Sequence, residues 1–308
     1  MAKLEIKDGV AIIPEGTTVI GYNAFEGCTG LTSVVIPDSV TEIGSWAFED
    51  CVGLTSVVIP DSVTGIGEYA FKGCIGLTEI TIPNSVTEIG SGAFEGCTGL
   101  TSVTIPSSVE NIYDGILSGC VGLKEVKVAE GNPVYDSRND CNAIIETSSN
   151  ELIAGCKATI IPESVTVIGS LAFEDCAGLT YVVIPDSVTE IDEYAFNGCS
   201  GLTSVVIPDS VTEIGGSAFK GCTGLPEITI PSSVKVVSRE IFAGCESLET
   251  LILGTGINKF KEDAFGACNA IKTIYVPAKK TDYYIKRLPN NLHPFIVELE
   301  PVKKAKKK

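Results

Sequence analysis

One histidine, one methionine and one tryptophan in 308 residues leave little material for catalysis. Ser/His/Asp or Cys/His machinery needs a base that titrates near neutrality, and His293, close to the chain end, is the only candidate. Aromatic residues make up 7% of the chain, too few for a core built from large rings, and charged residues only 20%. At 44% hydrophobic the chain is still too apolar for disorder. No run approaches the ~18 apolar residues of a membrane-spanning helix. The opening Met1 to Asp8 lacks the apolar stretch of a secretory leader, which points to an intracellular protein or to one whose leader is gone.

Basic charge is scarce outside one place. The net charge is −17, yet residues 279 to 308 hold 9 Lys/Arg against 3 acids, leaving 13 against 36 in residues 1 to 278. Such a body repels nucleic acid, whereas the tail Lys303-Lys304-Ala305-Lys306-Lys307-Lys308 argues the reverse locally, as a solubilising tail or a nuclear-import-like signal. The 32 glycines never assemble into a phosphate-cradling motif.

What the chain has is a period. Cys28, Cys51, Cys74, Cys97 and Cys120 are 23 residues apart, as are Cys176, Cys199, Cys222, Cys245 and Cys268. Prolines from Pro14 to Pro106 and from Pro162 to Pro231 keep the same step, with Gly254 in the next slot and Pro277 after it. Self-similarity at a fixed step is the mark of a stacked repeat protein, here of twelve units, one of them stretched. Gly30 to Gly44, GLTSVVIPDSVTEIG, recurs unchanged at Gly201 to Gly215.

Within a unit, Leu31, Val34 and Ile36 predict a short strand that the following proline ends. Asp38-Ser39 supplies a turn, Val40 to Ile43 a second short strand, and Gly44 a break before Ala47-Phe48, read as a single helical turn. No unit buries its own apolar face. Stacked at about 4.8 Å, twelve make a rod or arc of roughly 55 to 60 Å with ladders of Leu, Val, Ile, Phe and Cys inside.

The pattern C-x-x-L-x-x-V-x-I-P-x-S-V-x-x-I-G-x-x-A-F, complete from Cys28 to Phe48 and echoed from Cys51 to Phe71, resembles the leucine-rich repeats of the BspA-like family over about residues 8 to 277. The resemblance implies a right-handed, leucine-rich-repeat-like β-rich superhelix of about twelve coils, with a parallel sheet, short second strands and single helical turns, interrupted by one β-hairpin. The expected organisation is a solenoid over 1–278, with arrays 8–128 and 157–278 joined by a hairpin insertion at 129–156, then a cap at 279–300 and the basic tail at 301–308. Leu4 to Pro14 reads as a strand pair covering the first edge. In the cap, Thr281-Asp282 is expected to N-cap a helix from Tyr283 to Leu288, with a strand at Phe295 to Leu299.

Each chemistry-bearing group has a bland counterpart. The cysteine column reads as small apolar filler with weak S–H donors, because metal sites need several ligands converging and these occur once per coil. Cys141 and Cys156 lie outside the column and bracket a hairpin turning at Ser148-Ser149. A register equidistant from that turn pairs them and allows a disulfide, although it also sets Glu146 against Glu151. Asp38, Asp61, Asp186 and Asp209 form acid columns without a calcium-loop signature, and Glu49, Lys72 and Glu95 alternate sign as exposed ion pairs. No cofactor or metal is implied. A polysaccharide hydrolase would need one acid singled out, most plausibly around Asn132 to Asn142.

Surface remains. The outward positions of the main sheet are Thr32, Ser33, Val35, Thr55, Ser56, Val58, Thr78, Glu79, Thr81, Thr101, Ser102 and Thr104, then Tyr181, Val183, Val206, Glu227, Ile252 and Tyr275. They form a flat, hydroxyl-rich candidate platform for protein ligands. The family resemblance implies a non-enzymatic, adhesin-like surface or secreted protein contacting host or neighbouring-cell macromolecules, extracellular matrix proteins among them. An intracellular protein-interaction module is the alternative.

Overall fold

The structure is a computed structural model, described over Ile6–Leu299; the basic tail expected at 301–308 lies outside the described residues. It is a parallel β-solenoid of about 13 turns with few helices, one coil more than the repeat arithmetic. The extra coil comes from the cap, whose strand Ile296–Glu298 pairs in parallel with Thr273–Val276, Ile274 facing Ile296. At the other end Ile6–Lys7 pairs antiparallel with Val10–Ile12, the strand pair expected within Leu4 to Pro14, of which Leu4 and Glu5 lie outside the described residues.

Each coil has three sides. The main-sheet side carries strands such as Ser33–Val35, in which Val34 is buried and Val35 is exposed. The second side carries two-residue strands such as Glu42–Ile43, paired in parallel with Gly65–Ile66. The third side departs from the expected helical turn. Trp46 and Asp50 hold φ of 56° and 54°, in the left-handed region that a continuous right-handed helix forbids. Alternate N–H groups therefore turn outward to the next coil: Trp46 N donates to Glu68 O at 2.9 Å, Phe48 N to Ala70 O at 2.8 Å and Asp50 N to Lys72 O at 2.7 Å. The N–H groups between them close local turns, Ala47 N to Gly44 O at 3.2 Å and Glu49 N to Trp46 O at 3.1 Å. The third side is thus a ladder of its own.

The core is laid down in columns. Phe25, Phe48, Phe71 and Phe94 stack with centroids 5.1, 5.2 and 5.7 Å apart and planes within 9°, and Phe173 to Phe265 repeat the stack. Offset parallel rings at this spacing add about 0.5–1.5 kcal/mol each to their burial. Beside them eight of the buried thiols donate to a phenylalanine carbonyl 26 residues back, as Cys51 Sγ does to Phe25 O and Cys74 Sγ to Phe48 O, both at 3.1 Å.

The insertion corrects one expectation. The hairpin forms from Ala143–Glu146 and Glu151–Gly155, and Glu146 does face Glu151. A bulge then slips the register, so that Ile144 faces Ala154 and Ala143 faces Gly155, leaving Ile153 unpaired. Continued, this sets Cys156 against Asn142 rather than Cys141. A one-residue slip exchanges the two faces of a strand. Cys141 joins the core of the second array, Cys156 that of the first, and both thiols are free. The register that would have allowed a disulfide between them is therefore not the one adopted, and the thiols remain free. The same alternation makes the hairpin a partition: Ile144 and Ala154 face one core, Ala143, Ile145 and Leu152 the other. On the third side, however, Gly119 N donates straight to Glu174 O at 3.0 Å, so one rung bridges the insertion, while Ala172 O takes its bond from Gly155 N of the hairpin at 2.9 Å.

The cap helix is Thr281–Ile285, two residues earlier than expected, and its N-cap is Lys280, with no side-chain capping bond. Thr281 Oγ1 instead donates to Glu298 Oε2 at 2.7 Å, tying the helix to the last strand.

Candidate binding surfaces

The main-sheet face is real but less free than its hydroxyl content suggests. Thr32 donates to Gly9 O at 3.0 Å, Thr55 to Thr32 O and Thr101 to Thr78 O, both at 3.3 Å. A β-branched hydroxyl at the first strand position reaches the coil before it, so these threonines present methyls more than donors. Ser33, Ser102, Ile252 and Tyr275 are half-buried, whereas Ser56, Thr78, Glu79, Thr81, Thr104 and Glu227 are exposed. Strand register places Ser33 beside Ser56, Tyr181 beside Ser204, and Tyr275 beside Ile252.

On the main-sheet face exposed aliphatic groups recur in one column. In the first array Ile12, Val35 and Val58 are 67%, 55% and 77% exposed; in the second Ile160, Val183 and Val206 are 75%, 55% and 66% exposed, beside an exposed Tyr181. Counting from the first complete coil missed Ile12 and Ile160, although each lies 23 residues before a valine of its column. A shallow 290 Å³ depression next to the first stripe is lined by Thr81, Ser102 and Thr104.

A second surface was not foreseen. Where the second side meets the third, Tyr22, Trp46 and Tyr69 form a ladder with ring centroids 5.2 and 5.5 Å apart. The signal was available, since Trp46 and Tyr69 share a repeat slot. Lys72 Nζ sits 4.8 Å from the centre of the Tyr69 ring and bridges Glu95 at 3.2 Å and Glu49 at 4.0 Å, the mixed column expected from sequence.

Titratable groups are shaped by the repeat. Burial pushes the thiols of Cys51, Cys120 and Cys222 up to about 12 and those of Cys176 and Cys268 to about 11, outside the range of nucleophiles at neutral pH. Asp192 stands in a slot that Gly44, Gly67, Gly90, Gly169 and Gly215 fill elsewhere. Burial, then the Glu190 carboxylate beside it, raise Asp192 to about 7. The two line a 580 Å³ groove with Glu213, Lys235 and Lys261. Among the described residues no group of three or more His, Cys, Asp or Glu is placed to hold a metal ion.

His293 and the interruption around Asn132 are both held by contacts within the fold. His293 Nε2 lies 3.0 Å from Leu288 O within the cap. In the interruption, Asn132 Nδ2 donates to Pro106 O and Val109 O, its Oδ1 accepts from the N–H groups of Val134 and Tyr135, and Asp136 pairs with Arg138 at 2.8 Å. No described helix is long and apolar enough to cross a membrane.

Comparison with known proteins agrees with this architecture. Nothing among curated proteins matches the sequence. Of solved structures, a leucine-rich repeat protein from Eubacterium ventriosum superposes with a TM-score of 0.75 at 24% identity, over 88% of this chain and 75% of that one. A leucine-rich cell surface protein from Faecalibacterium prausnitzii is 31% identical, with a TM-score of 0.60 and 86% of each chain covered. The pneumococcal vaccine antigen PcpA shares the fold, with a TM-score of 0.64 at 19% identity over 93% of this chain and 86% of that one. The model of the BspA-type leucine-rich repeat region matches in six copies over residues 10–134 and 145–272, and the chain belongs to that family.

Proposed function

We propose that the protein is a non-enzymatic binding scaffold at the cell surface or outside the cell, and that its main-sheet face contacts proteins of a host or of neighbouring cells. The observation that carries this reading is the apolar stripe Ile12, Val35, Val58 and its repeat Ile160, Val183, Val206. Exposed aliphatic side chains recurring in register over adjacent coils contribute nothing to the core, and although β-branched residues suit a strand, their alignment makes a continuous apolar strip open to a partner. Repeat proteins use such faces to contact macromolecules. The surface location draws support from the Faecalibacterium relative, which is named a cell surface protein. Extracellular matrix proteins are the first ligands to test.

The measurement is binding of the full chain to immobilised matrix proteins and intact cells, set beside a Val35→Asp/Val58→Asp/Val206→Asp variant. We expect at least a tenfold loss of affinity in the variant, since each buried valine is worth about 1.5 kcal/mol or more and each introduced carboxylate adds desolvation. Equal binding by both proteins, or no binding by either, overturns the reading. An intracellular interaction module is the second reading, favoured by twelve free cysteines. It requires a partner in a cell lysate and none on cell surfaces.

A further inference from the structure

We propose that the edge formed by Tyr22, Trp46 and Tyr69 binds a basic, arginine-bearing peptide segment of a partner protein. The first ground is backbone cost. Trp46 and Tyr69 sit at φ of 56° and 54°, in a left-handed slot that other coils fill with Asn23, Gly92, Gly115, Leu171, Tyr194, Ser217, Glu240 and Asp263. An L side chain is crowded against the following carbonyl there, asparagine least, and glycine escapes the clash altogether. Both rings are half-buried on the surface, outside the buried core, and Tyr22 beside them is 69% exposed. Bulky aromatics held on the surface at an unfavourable φ imply a use outside the fold.

The second ground is that the protein already contains one filled copy of the site. Lys72 lies over the Tyr69 ring with Glu49 and Glu95, one coil to either side, closing on its ammonium. One coil earlier the same slots hold Trp46 for the ring and Glu49 in place of the lysine, with Glu26 as the outer carboxylate. Trp46 thus has the aromatic face with Glu26 on one flank and Glu49 in the lysine's slot, Lys72 holding the other flank, and an incoming guanidinium would pair with Glu26 and share Glu49. Arginine fits best, because its planar group stacks on a ring and presents two parallel N–H donors to a carboxylate. Glu68 and Asp50 are exposed nearby and extend the acidic margin. The second array offers no such surface: Leu171, Tyr194 and Ser217 occupy the ring slots, and Asn197 is bonded to Glu174 at 3.0 Å.

Charge separates this partner from other stacking ligands. Nucleic acid stacks on aromatic rows as well, but its phosphates would meet Glu26, Glu49 and Glu68. The site is separate from the main-sheet stripe, and the two fail separately: Val35→Asp/Val58→Asp should leave it intact.

Trp46 is the only tryptophan, so its emission reports on the site directly. The full chain is titrated with hexa-arginine, hexa-lysine, a neutral Gly-Ser hexapeptide and a neutral hexasaccharide. We expect a saturable change with hexa-arginine, at least about fivefold tighter than with hexa-lysine, and none with the neutral ligands. Glu26→Gln/Glu49→Gln should weaken it by about fivefold or more. Trp46→Gly, followed through a dye on the peptide, should do the same and still fold, because Gly92 and Gly115 occupy this slot at φ of 59° and 71°. Unchanged affinity in Trp46→Gly would mean that the peptide sits on other acids, and would overturn the proposal. So would a response to the hexasaccharide in place of hexa-arginine, or no response at all.

Discussion

Gly99 and Gly30 occupy the same slot of the repeat in opposite circumstances. A Cβ on Gly99 would lie 2.5 Å from Ile75 O and 3.1 Å from Leu77 O, both backbone atoms of the preceding coil, whereas a Cβ on Gly30 meets nothing within 4 Å. Gly99→Ala should therefore cost about 2 kcal/mol or more and Gly30→Ala almost nothing, as read from urea midpoints. The cysteine column allows a similar test. Cys74→Ala removes the donor to Phe48 O and leaves a void beside the phenylalanine stack, a loss of about 1–2 kcal/mol. In the native protein, thiol labelling at pH 8 should reach Cys28 first, since it alone of the twelve is not fully buried. Rapid native labelling of Cys97 or Cys199 would contradict the packing described.

At the scale of elements, the hairpin divides what the repeat would otherwise make continuous. Ile144 and Ile145 are adjacent, equally buried and chemically identical, yet they face different cores. Each truncation to alanine should cost about 2–4 kcal/mol. Hydrogen exchange should show the loss in the first array for Ile144→Ala and in the second for Ile145→Ala, and the same pattern from both would remove the partition. This element also marks where sequence reasoning stops. The columns were legible because a residue such as Leu31 or Phe48 has one environment repeated many times, so period alone assigns its face. The hairpin occurs once. Nothing in Asn142 to Gly155 announces that Ile153 is bulged, because the bulge is set by two cores demanding apolar side chains from the same strand. The third-side ladder was hidden for another reason. Ala-Phe flanked by glycines suits a helical turn as well, and the left-handed φ at Trp46 is imposed by the neighbouring coil rather than by local propensity. The candidate surface was legible where it followed the strand alternation and illegible where it depended on Tyr22, one slot out of phase, meeting Trp46.

For the whole molecule the dominant long-range term is its own acidity. With a net charge of −17 and acids repeated at coil spacing, added salt at neutral pH should raise the melting temperature by screening self-repulsion. Asp192 gives a sharper handle. Its folded-state pKa is raised, so its stabilising contribution is complete below the ordinary carboxylate range and is lost as pH rises through about 7. Asp192→Asn should then be more stable than the native protein at pH 8, by about 1 kcal/mol once the carboxyl's partial exposure is allowed for. The difference should narrow at pH 5. A melting curve indifferent to the substitution at both values would show that neither burial nor Glu190 raises the Asp192 carboxyl.

The bond from Gly119 to Glu174 also bears on how such a molecule can change over generations. A rung that joins Gly119 to Glu174 as Gly96 joins Ser118 leaves the 33 residues of the stretched unit looped out on the other sides. Material can be added between residues 129 and 156 without disturbing the phase of either array. Growth by duplication and diversification by insertion then proceed on different sides of the same coil, one lengthening the spine and the other decorating it.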